Sequence, residues 1–395
     1  MNYILFDDYS WENLLPLTFT RPTSHIRIGI LTIHEKWEKR LGSACYHLTQ
    51  EYLADQFTLK TQEKNVMING SVLPNDTLVK QIQNLELGQA LVNQDEIIAA
   101  NVSKEQVSDF SNKALREIDI IEYEGEVTKL NHPWEIYKHN GLAIQEDFDL
   151  LTANRESQPL SSTNRVIGKH PVFLEPGARV ECATINTSGG PVYIGPEAEI
   201  MEGSVIRGPL AMCEHSVLKL SAKIYGPTTL GPYCKAGGEV NNSVFTGFSN
   251  KAHDGFLGNA VIGEWCNLGA DTNNSNLKNN YASVKLWSYR EERFLDTGQQ
   301  FCGLIMGDHS KCGINTMFNT GTVVGVNANI YGDGFPRNFI PSFSWGGANG
   351  FKEYRLEKAL EVANIVMKRR NMTMSESQAR VLQEIFERTS KYRQF

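Results

Sequence analysis

Between Ile194 and Ile330 an aliphatic or small residue returns at every sixth position, often with glycine beside it. The ladder runs Ile194, Ile200, Ile206, Met212, Leu218, Ile224, Leu230 and Ala236. It resumes at Ile262 and Leu268, and again at Met306, Cys312, Phe318, Val324 and Ile330. Gly195, Gly231, Gly263, Gly269, Gly307, Gly313 and Gly325 each follow a rung. A period of six suits neither an α-helix nor a simple alternating strand. It suits a short strand and a tight turn, repeated, which is the pattern of a parallel β-helix. Each hexad then forms one face of a three-sided prism with its rung inward. Gly, Asn and Asp are expected at the corners, where positive φ costs them little. Counting Leu174, Val180 and the later rungs predicts roughly 20 hexads in about seven coils, a column roughly 33 Å long. A β-sandwich with chance glycine spacing would not hold one phase through three separated blocks.

The 395 residues leave room for two or three domains. A net charge of -7, with Lys368-Arg369-Arg370 the longest basic run, argues against a nucleic-acid partner. No apolar stretch has membrane length and residues 1–11 carry no basic leader, so no membrane partner and a cytoplasmic location are expected. Seven scattered cysteines without a CxxC pair fit a reducing compartment and no structural zinc.

Three textures divide the chain. Residues 1–155 read as an α/β domain, with a strand at Tyr3–Phe6, helical spacing over Leu31–Leu41 and around Thr77–Leu85, and a short helix or turn at Pro133–Asn140. Residues 156–340 hold the prism, interrupted by an excursion from Asn279 to about Gly303 that is rich in Tyr, Trp and charge. Residues 341–395 read as helices. One spans Arg355–Arg370, and another starts at a capping box of Ser375 and Gln378. They are expected to cap the prism or brace a neighbouring subunit.

The ladder slips around Ser249–Lys278. That stretch contains Lys251-Ala252-His253, Phe256-Leu257-Gly258, Ile262-Gly263, Asn267, Gly269-Ala270, Thr272 and Asn276. In these motifs it resembles the acetyltransferase half of the bifunctional UDP-N-acetylglucosamine pyrophosphorylase/glucosamine-1-phosphate N-acetyltransferase family. The resemblance implies a left-handed winding, acetyl-CoA as cofactor, a sugar phosphate as acceptor and a homotrimer, because the family holds the cofactor between neighbouring prisms. It carries His253 over as general base. Acetyl transfer to an amino sugar needs a neutral nitrogen, and an imidazole titrates in the range where that proton must leave. Backbone amides near Ala270 would stabilise the oxyanion. Lys235, Lys251, Phe256, Asn267, Asn276 and Lys278 carry over as substrate contacts, and Ala270, Gly313, Ile314 and Asn315 as cofactor contacts. Each also has a plainer reading as a prism corner or an asparagine ladder. Phe256 stands where the family has tyrosine. An expected arginine is missing near Tyr233-Cys234-Lys235, where Lys235 can substitute.

The N-terminal half departs further. Sugar nucleotidyltransferases follow the first strand with a Gly-rich phosphate loop, but this chain has Asp7-Asp8-Tyr9-Ser10-Trp11-Glu12 there. It recovers Pro16-Leu17-Thr18-Phe19-Thr20-Arg21-Pro22, with Thr23 at the family's lysine position and Arg21 and Arg27 as candidate phosphate cations. The run LLPLTFTRP is similar to that of a divergent, Bacteroidetes-type branch of the family. Its members imply a second, uridylyl-transferring activity with UTP and Mg2+; the residues themselves leave that open, as they do any metal. Two other classes compete. A hexapeptide-repeat carbonic anhydrase needs converging histidines, and His170, His215, His253 and His309 include no close pair. A non-catalytic subunit that binds sugar nucleotides is favoured by the lost glycines and opposed by the intact His253 segment.

Overall fold

The computed structural model describes residues 1–111 and 118–395. The chain divides into two compact units. One comprises Met1–Leu14, Thr20–Ile26 and Leu31–His132; the other comprises Leu15–Phe19, Arg27–Ile30 and Pro133–Phe395.

The first unit is α/β. Strands Asn2–Phe6, Cys45–Leu48, Lys64–Asn69, Gln89–Asn93, Glu96–Ser103 and Asp119–Glu122 form one mixed sheet in the spatial order second, first, third, fifth, fourth, sixth. Asn2–Phe6 lies between two parallel neighbours, so its C-terminal end opens at Asp7 and Asp8. Helix Ile33–Leu41 starts at a capping box of Thr32 and Glu35 and stops at Gly42 in the left-handed region. The chain enters Asp76–Gln83 through an Asn75 cap.

The second unit is the left-handed parallel β-helix of the sequence reading. Its faces are stacks of six, nine and ten strands, the last closed by the antiparallel strand Gly350–Glu353. It makes about ten turns where seven were predicted. The terminal coils hide from a count of apolar rungs, because Val166 on the first coil is exposed and Gly346 takes a rung position opposite Ile330. Every ladder residue named above is buried in one continuous core. Burial of such side chains contributes about 1.5–3 kcal/mol each, before the entropy of ordering is subtracted.

The slip has a definite form. Partners Leu218↔Ala236, Ala236↔Lys251 and Asn250↔Asn267 make successive coils of 18, 15 and 17 residues, by difference of those numbers. The shortened coil puts Lys251 on the inward ladder, 1% exposed.

Left-handed corners carry Gly, Asn and Asp as expected, among them Gly177, Gly203, Asn242, Asn259, Asp271 and Asn315. Most of the glycines after the rungs serve close approach between coils rather than positive φ: a Cβ on Gly195 would lie 2.7 Å from the Met212 carbonyl oxygen. Gly195→Ala is expected to cost about 1–3 kcal/mol, read as a lower melting temperature. Many left-handed corner positions are held by larger residues. His215, Tyr233, Phe248, Trp265 and His309, at φ of 54–60°, stack ring on ring with centroids 4.6, 5.2, 4.2 and 6.3 Å apart. Stacking and inter-coil hydrogen bonds, such as Tyr233 N to Glu214 O at 2.9 Å, offset the strain of that backbone.

Pro133–Thr152 is a 20-residue helix, far longer than the short helix or turn expected. Its buried side includes Asn140 and Asp147, which interrupt the apolar period. Asn140 Oδ1 accepts from Gly29 N at 2.7 Å and Asp147 Oδ2 from Ile30 N at 2.8 Å. Helices Leu356–Lys368 and Glu376–Arg388 follow, the second starting at the Ser375/Gln378 box. They cap the prism: Phe386 meets the buried Phe343 edge-on at 5.1 Å. The excursion is a hairpin, Lys285–Ser288 against Arg293–Asp296, docked through Trp287 stacked on Phe339 at 4.3 Å. No described helix is long and apolar enough to cross a membrane.

Candidate functional site

The strand register decides which predicted residues meet. Asn250, Asn267 and Lys311 are paired on successive coils. Carried three residues on, that register stacks His253, Ala270 and Ile314 at one corner, followed by Asp254, Asp271 and Asn315. Hydrogen bonds hold the column: Asp271 N donates to Asp254 O at 3.0 Å and Asn315 N to Ala270 O at 2.8 Å. Neighbouring coils lie about 4.8 Å apart, so the proposed base and the proposed cofactor residues share one strip of surface. Gly313 completes it. His253 and Asn315 are exposed, and Ile314 is 70% exposed.

Lys235 and Asn267 stand on the adjoining face, in the column Lys235–Asn250–Asn267–Lys311. Lys311, which the sequence reading passed over, belongs to the same column. Its Nζ donates to His309 O at 2.7 Å, and burial pushes its ammonium down to about 8.

Lys251 is not a solvent-facing substrate contact. Rooted on the inner ladder, its Nζ donates to the carbonyls of Gly237 at 3.3 Å, His253 at 2.7 Å and Asp254 at 3.1 Å. It ties down the turn that presents His253. Burial pushes its ammonium down to about 8, opposed by Asp254 and Asp271.

On the other side of the corner, Phe256 N donates to Asn273 Oδ1 at 2.8 Å and Gly258 N to Asn274 Oδ1 at 2.8 Å. Asn276 Nδ2 donates to Asn259 Oδ1 at 2.8 Å. A Cβ on Gly258 would lie 2.5 Å from the Phe256 ring and 2.7 Å from Asn276 Nδ2, so these two substrate candidates converge over Gly258. Lys278 lines a separate cleft of about 600 Å³ with Lys285, Phe294, Thr320, Arg337 and Phe339. Three cations and two rings there suit an anionic ligand, and only Lys278 was read from the sequence.

In the α/β unit the expected glycine loop is replaced by the short helix Ser10–Asn13. Arg21 is 5% exposed and donates to Thr20 Oγ1 at 3.3 Å, so it does not stand open to a phosphate. Arg27, which belongs to the second unit, is likewise spent, donating to Thr246 O at 3.1 Å and to Ile30 O. A polar pocket of about 250 Å³ is lined by Asn69, Asn93, Glu96, Lys129 and Asn131 among others. Lys129 bridges Asp8 and Glu96 at 2.7 Å each and lies 4.2 Å over the Tyr9 ring. Burial works against the Asp8 carboxylate, but Lys129 and the Asn69 amide outweigh it and hold Asp8 below the usual range. Burial pushes its neighbour Asp7 up to about 6, against hydrogen bonds from Thr49 and Thr23.

Among the solved structures that this chain resembles are three acyltransferases. The polysialic acid O-acetyltransferase OatWY is 10% identical with a TM-score of 0.27, covering 48% of this chain and 87% of that one. Arabidopsis UDP-N-acetylglucosamine acyltransferase is 14% identical at 0.23, covering 59% and 91%. The polySia-specific acetyltransferase NeuO is 11% identical at 0.18, covering 49% and 86%. At such scores they say nothing of what this chain acts on. No curated protein matches the chain. Residues 3–156 match the family model described as sugar nucleotidyl transferase.

Proposed function

We propose that this chain is a transferase of sugar-nucleotide biosynthesis whose prism acetylates an amino-sugar 1-phosphate of the glucosamine-1-phosphate type. Acetyl-CoA supplies the acyl group as a thioester. His253 takes the proton from the attacking amine, an amide N–C bond forms, the C–S bond breaks, and coenzyme A leaves as its thiol. The observation that carries this reading is the single corner column of His253, Ala270 and Ile314, with Gly313 and Asn315 beside it. Among the described residues the His253 side chain makes no hydrogen bond, which leaves its ring nitrogens for a substrate. Exposed Ile314 offers an apolar wall to a pantetheine arm or to a neighbouring prism, in keeping with a homotrimer.

The match over residues 3–156 supports a role for the α/β unit toward a sugar nucleotide. One observation favours binding over uridylyl transfer there: Lys129, which lines its polar pocket, is already paired with Asp8 and Glu96. Incubation with acetyl-CoA and glucosamine-1-phosphate is expected to release free thiol; a flat thiol signal across a panel of amino-sugar phosphates would discard the acetyl step. Incubation with UTP, Mg2+ and N-acetylglucosamine-1-phosphate separates the roles of the α/β unit, since pyrophosphate appears only if it transfers the nucleotidyl group.

A further inference from the structure

We propose that His25, His34 and His47 hold one divalent transition-metal ion of the zinc class in the α/β unit. The three come from different elements: the 3-10 turn Thr23–His25, the first turn of helix Ile33–Leu41, and strand Cys45–Leu48. One ring nitrogen from each lies within 4.8 Å of the others. His25 Nε2 and His47 Nε2 are 3.2 Å apart. Two nitrogens each ~2.05 Å from a tetrahedral zinc would be ~3.3 Å apart. The ring centroids form an equilateral triangle, 4.8 Å on each side. Imidazoles sharing one ion have centroids roughly 4.5–5.2 Å apart between octahedral and tetrahedral angles.

The remaining nitrogens behave as an outer shell does. His34 Nε2 faces Glu38 Oε1 at 3.3 Å, while its Nδ1 is buried with no hydrogen-bond partner and is the nitrogen left to ligate. His47 Nδ1 lies 3.4 Å from Ser24 Oγ. A carboxylate behind one ligand and a hydroxyl behind another fix tautomer and ring orientation at metal sites. Phe57 packs against both His25 and His47, at 4.7 and 5.7 Å, and walls the cluster from water on that side. Half-buried His25 and His34 leave a fourth position for water.

The full chain, stripped of metal, incubated with Zn2+ and dialysed, is expected to retain about one ion per chain by elemental analysis. Co2+ in its place should give the intense visible absorption of a four-coordinate site. Chelation should lower the melting temperature by roughly 5 °C or more. His25→Gln and His34→Gln should each cut retained metal at least tenfold. Folded wild-type protein that keeps less than a tenth of an equivalent overturns the proposal, as does undiminished metal in the folded double variant. The acetyl-transfer reading plays no part in this test.

Discussion

His253→Ala is expected to lower the rate of acetyl transfer about 10²–10⁴-fold, the contribution of a positioned general base, with the melting temperature almost unchanged. His253 is exposed and its side chain holds nothing in the fold, so the loss should fall on turnover rather than on structure. His253→Gln keeps a hydrogen-bonding side chain but accepts no proton, and should be equally slow. A variant with wild-type turnover would remove the imidazole from the chemistry.

The second large effect belongs to Lys251. Lys251→Ala should cost about 2–4 kcal/mol, since it opens a cavity on the inner ladder and releases three carbonyls. Lys251→Met keeps the aliphatic stem and should stay folded, yet acetyl transfer should fall because the turn bearing His253 loses its tie. The two variants together separate packing from positioning. The ammonium also gives a pH signature. Its folded value is pushed down to about 8 from an ordinary 10.5, so between those limits the unfolded chain binds a proton that the folded chain has released. The penalty is fully present below about pH 8, and stability rises with pH from there to 10.5, by about 3 kcal/mol when complete. Denaturant melts of the wild type should show this rise added to that of Lys311, and Lys251→Met should show only the Lys311 part.

The repeat made the prism legible because an inward rung must be apolar and its period fixes which rungs stack. The same rule hid Lys251. A lysine is not expected on an inner ladder, and a 15-residue coil moves it there where a strict count of six would not. Motif matching at Phe256, Asn267 and Asn276 found residues near one corner, but only strand register shows which of them share a face. The corner column of large rings was not legible because ring stacking between coils offsets left-handed backbone, a tertiary effect that no single hexad reveals. Buried Asn140 and Asp147 break the apolar stripe of helix Pro133–Thr152, so spacing alone predicts only a short helix or turn there. The cluster of His25, His34 and His47 has no motif spacing, since three separate elements bring it together. The scattered cysteines argued against a structural zinc, and the histidines weighed for one, His170, His215, His253 and His309, were those of the prism.

The most direct test of the central claim is the structure of the protein with acetyl-CoA bound. The thioester is expected at the column of His253, Ala270 and Ile314, its carbonyl carbon about 3–4 Å from the position of an amine within hydrogen-bond reach of the imidazole. A thioester resting instead at the stacked-ring corner of Tyr233, Phe248 and Trp265, or no ordered cofactor on the prism at saturating concentration, would contradict it.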